Sequence, residues 1–153
     1  MDLNKLQEEI KIDEGVKHEV YLDHLGLPTC GIGHLIKEND PEHGLEVGTE
    51  IDEERVNELF AQDIQVTIDE CRKLYYDFDV LPVQAQHIIA NMMFNMGRPR
   101  LSRFHKMKRA VDNREWQEAS NEMMDSKWYR QVPNRADRLV LRMKNVTTYS
   151  QLP

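Results

Sequence analysis

A chain of 153 residues, 40% hydrophobic and 31% charged, is long enough to bury a core without disulfides or metals, and no apolar run approaches the roughly 18 residues that stable membrane insertion needs. The formal net charge of −7 is unevenly spread: residues 1–70 hold 19 acids against 5 Lys or Arg, a balance of −14, and residues 71–153 hold 8 acids against 15, a balance of +7. The first half would repel phosphate and no recognised nucleic-acid motif accompanies the basic second half, so nucleic acid is not an expected partner, whereas an anionic polymer or a headgroup surface could attract that half.

Leu3, Leu6 and Ile10 recur at helical spacing behind Asp2, a capping residue, so a first helix is expected from about residue 3 to Glu14, with Gly15 as its stop. The same N-terminal stretch lacks the continuous apolar core of a secretory signal, and the chain as written is expected to stay in the cytosol that made it. From Val20 to Ile36 the pattern turns to short strand-like pieces, Val20 to Leu22 and Thr29 to Ile32, punctuated by Gly26, Pro28, Gly31 and Gly33, which reads as a small antiparallel hairpin or three-stranded sheet. Residues 37–49 read as loop, with Thr49, Asp52 and Glu53 marking a helix start. Val56, Leu59, Phe60, Ile64, Ile68, Cys71 and Leu74 then predict one long amphipathic helix over 51–74.

Beyond it the chain reads as helical throughout. Pro82 opens a helix that is apolar almost all round and stops at Gly97; further helices are expected near 102–111, 114–124 and 133–144, with a short turn at 126–130. The organisation is α+β: an N-terminal β-containing lobe of about 15–55, a connecting helix of 51–74, and a mainly helical C-terminal lobe of 75–153 that includes the first helix. Cys30 and Cys71 fit reduced thiols used as small apolar residues, with one bridge between them as the alternative. No Cys and His spacing suits zinc and no phosphate loop is present, so neither a metal nor another cofactor is expected.

The chemistry concentrates between Glu14 and His34, where EGVKHEVYLDHLGLPTCGIGH sets Glu14, Asp23 and Thr29 around a glycine-studded hairpin. Cleaving a glycosidic bond takes one carboxylic acid to protonate the leaving oxygen and a second carboxylate to organise water or attack the sugar. Two acids from different elements, a helix end and a strand end, can divide those jobs because unlike surroundings separate their pKa values. Solvated surface acids are the common alternative for any such pair. His34 is set aside as a base, since Asp63 on the long helix can hold it in a structural ion pair. Gly31 and Gly33 let backbone bend close beside the site, as in any tight hairpin.

IDEG at 12–15, Tyr21 with Asp23, Gly26, Thr29 and GIGH at 31–34, followed by NMMFNMG at 91–97 and SKWYRQVPNRADR at 126–138, resemble the phage-type lysozymes (glycoside hydrolase family 24) over nearly the whole chain. The resemblance implies a lysozyme-like fold and an endolysin-type N-acetylmuramidase acting on bacterial peptidoglycan. It further implies Glu14 as general acid, Asp23 with the Thr29 hydroxyl holding a water for inversion, and Arg135 behind the acid. Leu35 and Phe94 match sugar-lining positions, and so do Met107 and Glu122, which replace the usual serine and asparagine and put polar contact there in doubt. The segment from His34 to Phe60 is shorter than in the family's type member. A monomer is expected, held in the host cytoplasm until a membrane pore such as a holin gives access to the wall. A lytic transglycosylase, which needs an acid but no water-directing partner, and a non-catalytic wall-binding module are the alternatives; Asp23 and Thr29 count against the first, and retention of all three of Glu14, Asp23 and Thr29 counts against the second, to which Met107 and Glu122 leave some room.

Overall fold

A computed structural model of the chain describes residues 1–147. It has the expected α+β class, seven helices and a small antiparallel sheet among those residues. Two compact units divide the chain: one is Gln7–Val66, and the other joins Met1–Leu6 to Thr67–Pro153, so that the division falls inside two helices.

Helix α1, Leu3–Glu14, begins where Asp2 Oδ1 accepts the Lys5 amide at 3.1 Å and the Asp2 carbonyl accepts the Leu6 amide, satisfying first-turn donors that would otherwise be orphaned. It ends at Gly15, which takes a φ of 74° and donates its N–H to the Lys11 carbonyl. The three strands, β1 (Lys17–Leu22), β2 (Pro28–Gly31) and β3 (His34–Leu35), form one sheet in that order, with Tyr21 opposite Thr29 and Cys30 opposite His34. Ile32, expected in a strand, instead lies in the turn between β2 and β3. A register shift between Lys17 and Tyr21 bends β1.

The loop expected over 37–49 runs over residues 36–52, and it returns to cover the other edge of β1. Val20 donates to the Thr49 carbonyl, Gly48 donates to that of Val20, and Ile51 donates to that of His18. An open edge of unpaired amides is thereby closed. Helix α2 is Glu53–Leu74, starting two residues later than expected because Asp52 is the cap: its Oδ1 accepts the Arg55 amide at 2.8 Å, whereas the Thr49 hydroxyl donates back to Glu46. Val56, Leu59, Phe60 and Ile64 on α2 are buried with Ile10, Val20, Cys30, Ile32 and Ile51, forming the core of this unit.

In the other unit, α3 (Val83–Leu101) supplies Ile88, Ile89, Met92 and Met93, all buried, as its apolar centre. Gly97 breaks it as expected, with φ 80° and ψ 163°, and a last turn containing Pro99 follows. Helix α4 (His105–Asp112) starts three residues later than expected, because the Ser102 hydroxyl bonds backward to the Pro99 carbonyl and residues 102–104 close a turn. Helix α5 (Trp116–Met124) starts two residues late behind Arg114, which adopts a φ of 59° and reaches Asp77 at 2.9 Å. Helix α6 (Lys127–Gln131) is capped by Ser126, and α7 (Pro133–Lys144) matches its expected span, with α3, α5 and α6 packed on it. No described helix is long and apolar enough to cross a membrane.

Candidate active site

The unit Gln7–Val66 holds Glu14, Asp23, Thr29, His34, Leu35 and Asp63. Asp23 follows the last residue of β1 and opens a tight connection to β2. Its amide donates to the Leu27 carbonyl, its own carbonyl accepts from Gly26, and its Oδ1 accepts from the amides of Leu25 at 2.8 Å and Leu27 at 2.9 Å. An aspartate that bonds its own turn in this way orders both the loop and itself. One carboxylate oxygen is fixed by these amides, which leaves Oδ2 for a solvent molecule or a substrate. Thr29 lies across the same turn, 4% exposed, with its hydroxyl donating to the Leu27 carbonyl at 3.0 Å, so that its lone pairs remain as acceptors.

Glu14 ends α1, half-buried, and its charge is felt at Tyr21: the Tyr21 phenol is pushed up first by its own burial and then by the negative charges of Glu14 and Asp23. The charges of two carboxylates, from a helix end and a strand end, thus bear on one tyrosine, whose ring also carries the Lys17 ammonium 4.3 Å from its centroid. Tyr21 stood in the sequence motif without a role. The Gly33 backbone lies against the Glu14 carboxyl so closely that a Cβ there would stand 2.7 Å from Oε1 and 3.1 Å from Cδ.

His34 is buried at 3% exposure and makes the expected contact to Asp63, Nδ1 to Oδ2 at 2.7 Å. It also makes one that sequence reasoning missed: Nε2 meets Asp40 Oδ2 at 2.8 Å, and the same oxygen accepts the Lys37 amide. A neutral imidazole has only one N–H, so two carboxylate partners call for the doubly protonated ring. Burial alone would lower the imidazole pKa, but the hydrogen bonds and charges of Asp63 and Asp40 outweigh it and the pKa is raised. Burial opposes ionisation of Asp40, yet the Lys37 amide and His34 together hold its pKa down. Beside this clamp, buried Glu42 accepts Arg55 Nε and Nη2 at 2.8 and 3.0 Å, which lowers the carboxyl pKa and raises that of the guanidinium. Leu35 is exposed on β3.

Phe94, Met107, Glu122 and Arg135 belong to the other unit. Arg135 donates to Asn91 Oδ1 at 2.8 Å, tying α7 to α3, and Phe94 is half-buried on α3. Met107 has no exposed surface, and with half-buried Glu122 it lines a hollow of about 340 Å³ that also contains Arg103, Lys106 and Asp125. No group of three or more His, Cys, Asp or Glu side chains among the described residues is disposed to hold a metal ion.

The family model for phage lysozyme matches residues 11–145. A protein of Dictyostelium discoideum named "Probable T4-type lysozyme 2" is 31% identical over 157 aligned residues, covering 90% of this chain and 92% of that protein. The pre-baseplate central spike protein Gp5 of Enterobacteria phage T4 is 26% identical over 89% of this chain and 27% of its own length. The peptidoglycan hydrolase gp36 of Pseudomonas phage phiKMV is 27% identical over 93% of this chain and 15% of its own. With matching sequence running from the helix that carries Glu14 to the end of α7, the chain belongs to the phage lysozyme family.

Proposed function

We propose that this chain is a muramidase that hydrolyses the β-1,4 bond between N-acetylmuramic acid and N-acetylglucosamine of bacterial peptidoglycan. Glu14 protonates the leaving oxygen. Asp23, with one oxygen held by its own turn, and the Thr29 hydroxyl position a water for attack on the opposite face of the sugar, giving inversion. The observation that carries this reading is the Asp23 carboxylate ordered by its own turn beside the Thr29 hydroxyl, which bonds Leu27 of that turn, with half-buried Glu14 ending α1 in the same unit. Family membership and a relative named as a peptidoglycan hydrolase support the substrate. The chain acts as a monomer in host cell lysis, held in the host cytoplasm and reaching the wall through a holin-type pore.

The test is clearance of a peptidoglycan suspension by wild type and Glu14→Gln, whose amide keeps the shape but has no acid proton to give. General acid catalysis contributes about 10²–10⁴. A loss in that range is expected, and activity within about tenfold of wild type would remove Glu14 from the role. NMR of the first product should show the α anomer; the β anomer would mean retention, and a product lighter by one water would mean transglycosylation.

A further inference from the structure

Asp40, in the loop after β3 and remote from Glu14 in sequence, has no assigned role. Three observations link them. Asp40 Oδ2 bonds His34 Nε2 while Asp63 Oδ2 bonds Nδ1, so the ring is gripped from the loop and from α2 at once. The residue before His34 is Gly33, at φ 63°. A Cβ on Gly33 would stand 2.7 Å from Glu14 Oε1, so this backbone is the wall against which the carboxyl rests.

We propose that Asp40 is a positioning residue for the Glu14 carboxyl, acting through His34 and the Gly33 backbone. The inference rests on Glu14 being the general acid. The atoms a Gly33 side chain would strike are the carboxyl end of the Glu14 side chain and not backbone, so the protein would yield there by moving the carboxyl, not by unfolding. Misplacing a reacting group by about 1 Å costs about 10²-fold. The clamp needs a charged ring: a neutral imidazole would set a nitrogen lone pair against one carboxylate oxygen. The groups facing the ring are Asp40 from the loop and Asp63 from α2; Cys30 on β2 and the Glu42–Arg55 pair are the next ionisable neighbours of this cluster.

Two comparisons on soluble peptidoglycan fragments test this. Gly33→Ala and Gly31→Ala place the same strain on a backbone at φ 63° and 65°, but the nearest atoms to a Cβ at Gly31 are those of the Val56 side chain, at 3.4 Å and beyond. Gly33→Ala should lower kcat about 10²-fold with KM little changed, and Gly31→Ala should stay within about fivefold of wild type. In Asp40→Asn, which removes one of the two charges holding the imidazolium, the ratio of variant to wild-type kcat should be near one at pH 5 and fall several-fold by pH 8. Equal losses for the two glycine variants, or a ratio independent of pH, would overturn the proposal. Glu14→Gln separates the two levels: if it stays active the acid assignment itself is wrong, whereas an inactive Glu14→Gln beside equivalent glycine variants removes only the positioning role.

Discussion

At His34 the clamp also sets how stability depends on pH. The raised imidazole pKa means that its contribution is fully present below the unfolded value of about 6.5 and is lost as pH rises through the folded value. The lowered Asp40 pKa means that its contribution is present above about 3.9 and is lost as pH falls through the folded value. Stabilisation is therefore greatest between about pH 3.9 and 6.5. His34→Asn should cost roughly 1.5–3 kcal/mol at pH 5, the range for hydrogen bonds to charged groups, and less at pH 9. Urea titration at the two pH values checks this, and equal losses would show that the ring is not charged in the folded protein. The Asp63 half of the clamp was legible in the sequence, since a histidine after a hairpin and an aspartate on the buried side of a long helix suit each other. Asp40 was not, because it sits among several acids in a segment with no period to single it out. Nor could spacing show that Gly33 abuts a glutamate at the end of α1; that closeness comes from tertiary folding.

Among the elements, the loop of residues 36–52 depends on one cation. Arg55, anchored in the first turn of α2, binds buried Glu42 through two nitrogens and Glu58 through a third, while the loop's far end pairs with β1. Removing the guanidinium leaves the Glu42 carboxylate buried without its countercharge. Arg55→Met should cost about 2 kcal/mol at pH 7, below the roughly 3–5 kcal/mol for fully buried pairs because Arg55 keeps 22% exposure. The loss should shrink towards pH 4 as Glu42 protonates, and amide exchange of residues 42–51 should accelerate; a pH-independent loss would assign the effect to packing. Elsewhere the element boundaries follow a consistent rule. Starts and stops governed by a single local residue, such as Asp2, Gly15 and Pro133, were readable in the sequence. Those decided by which of several polar residues turns its side chain inward, Asp52 over Thr49 and the late start after Ser102, were not, because each candidate has a competing backbone partner nearby.

For the whole molecule, the charge division between the halves of the sequence carries over, somewhat reduced, to the two units. Gln7–Val66 carries 16 acids against 4 Lys or Arg, a balance of −12, and the other unit carries 11 against 16, a balance of +5. Attraction to an anionic wall polymer therefore falls to the helical unit and is screened by salt, with a Debye length of about 10 Å at 0.1 M. Arg103, Lys106 and Arg109 are exposed there, and changing all three to Glu should leave stability within about 0.5 kcal/mol per site. The same changes should reduce sedimentation with cell walls several-fold at low salt. The difference should vanish at 0.5 M NaCl; persistence at high salt would place these side chains in direct contact with the glycan.

The two buried thiols have a use as reporters. Cys30 lies in one unit and Cys71 in the other, neither is bridged, and burial pushes the Cys30 thiol up to about 11 and the Cys71 thiol higher than its ordinary value as well. Alkylation needs an exposed thiolate, so neither residue reacts until its surroundings open. Each unit thus carries its own clock. Pulse labelling of the native protein with a maleimide, followed by mass spectrometry of the two cysteine peptides, would measure the opening free energy of each unit separately, without mutation or probe. Different labelling rates would reveal units that open independently, and a common rate equal to that of global unfolding would reveal one cooperative molecule.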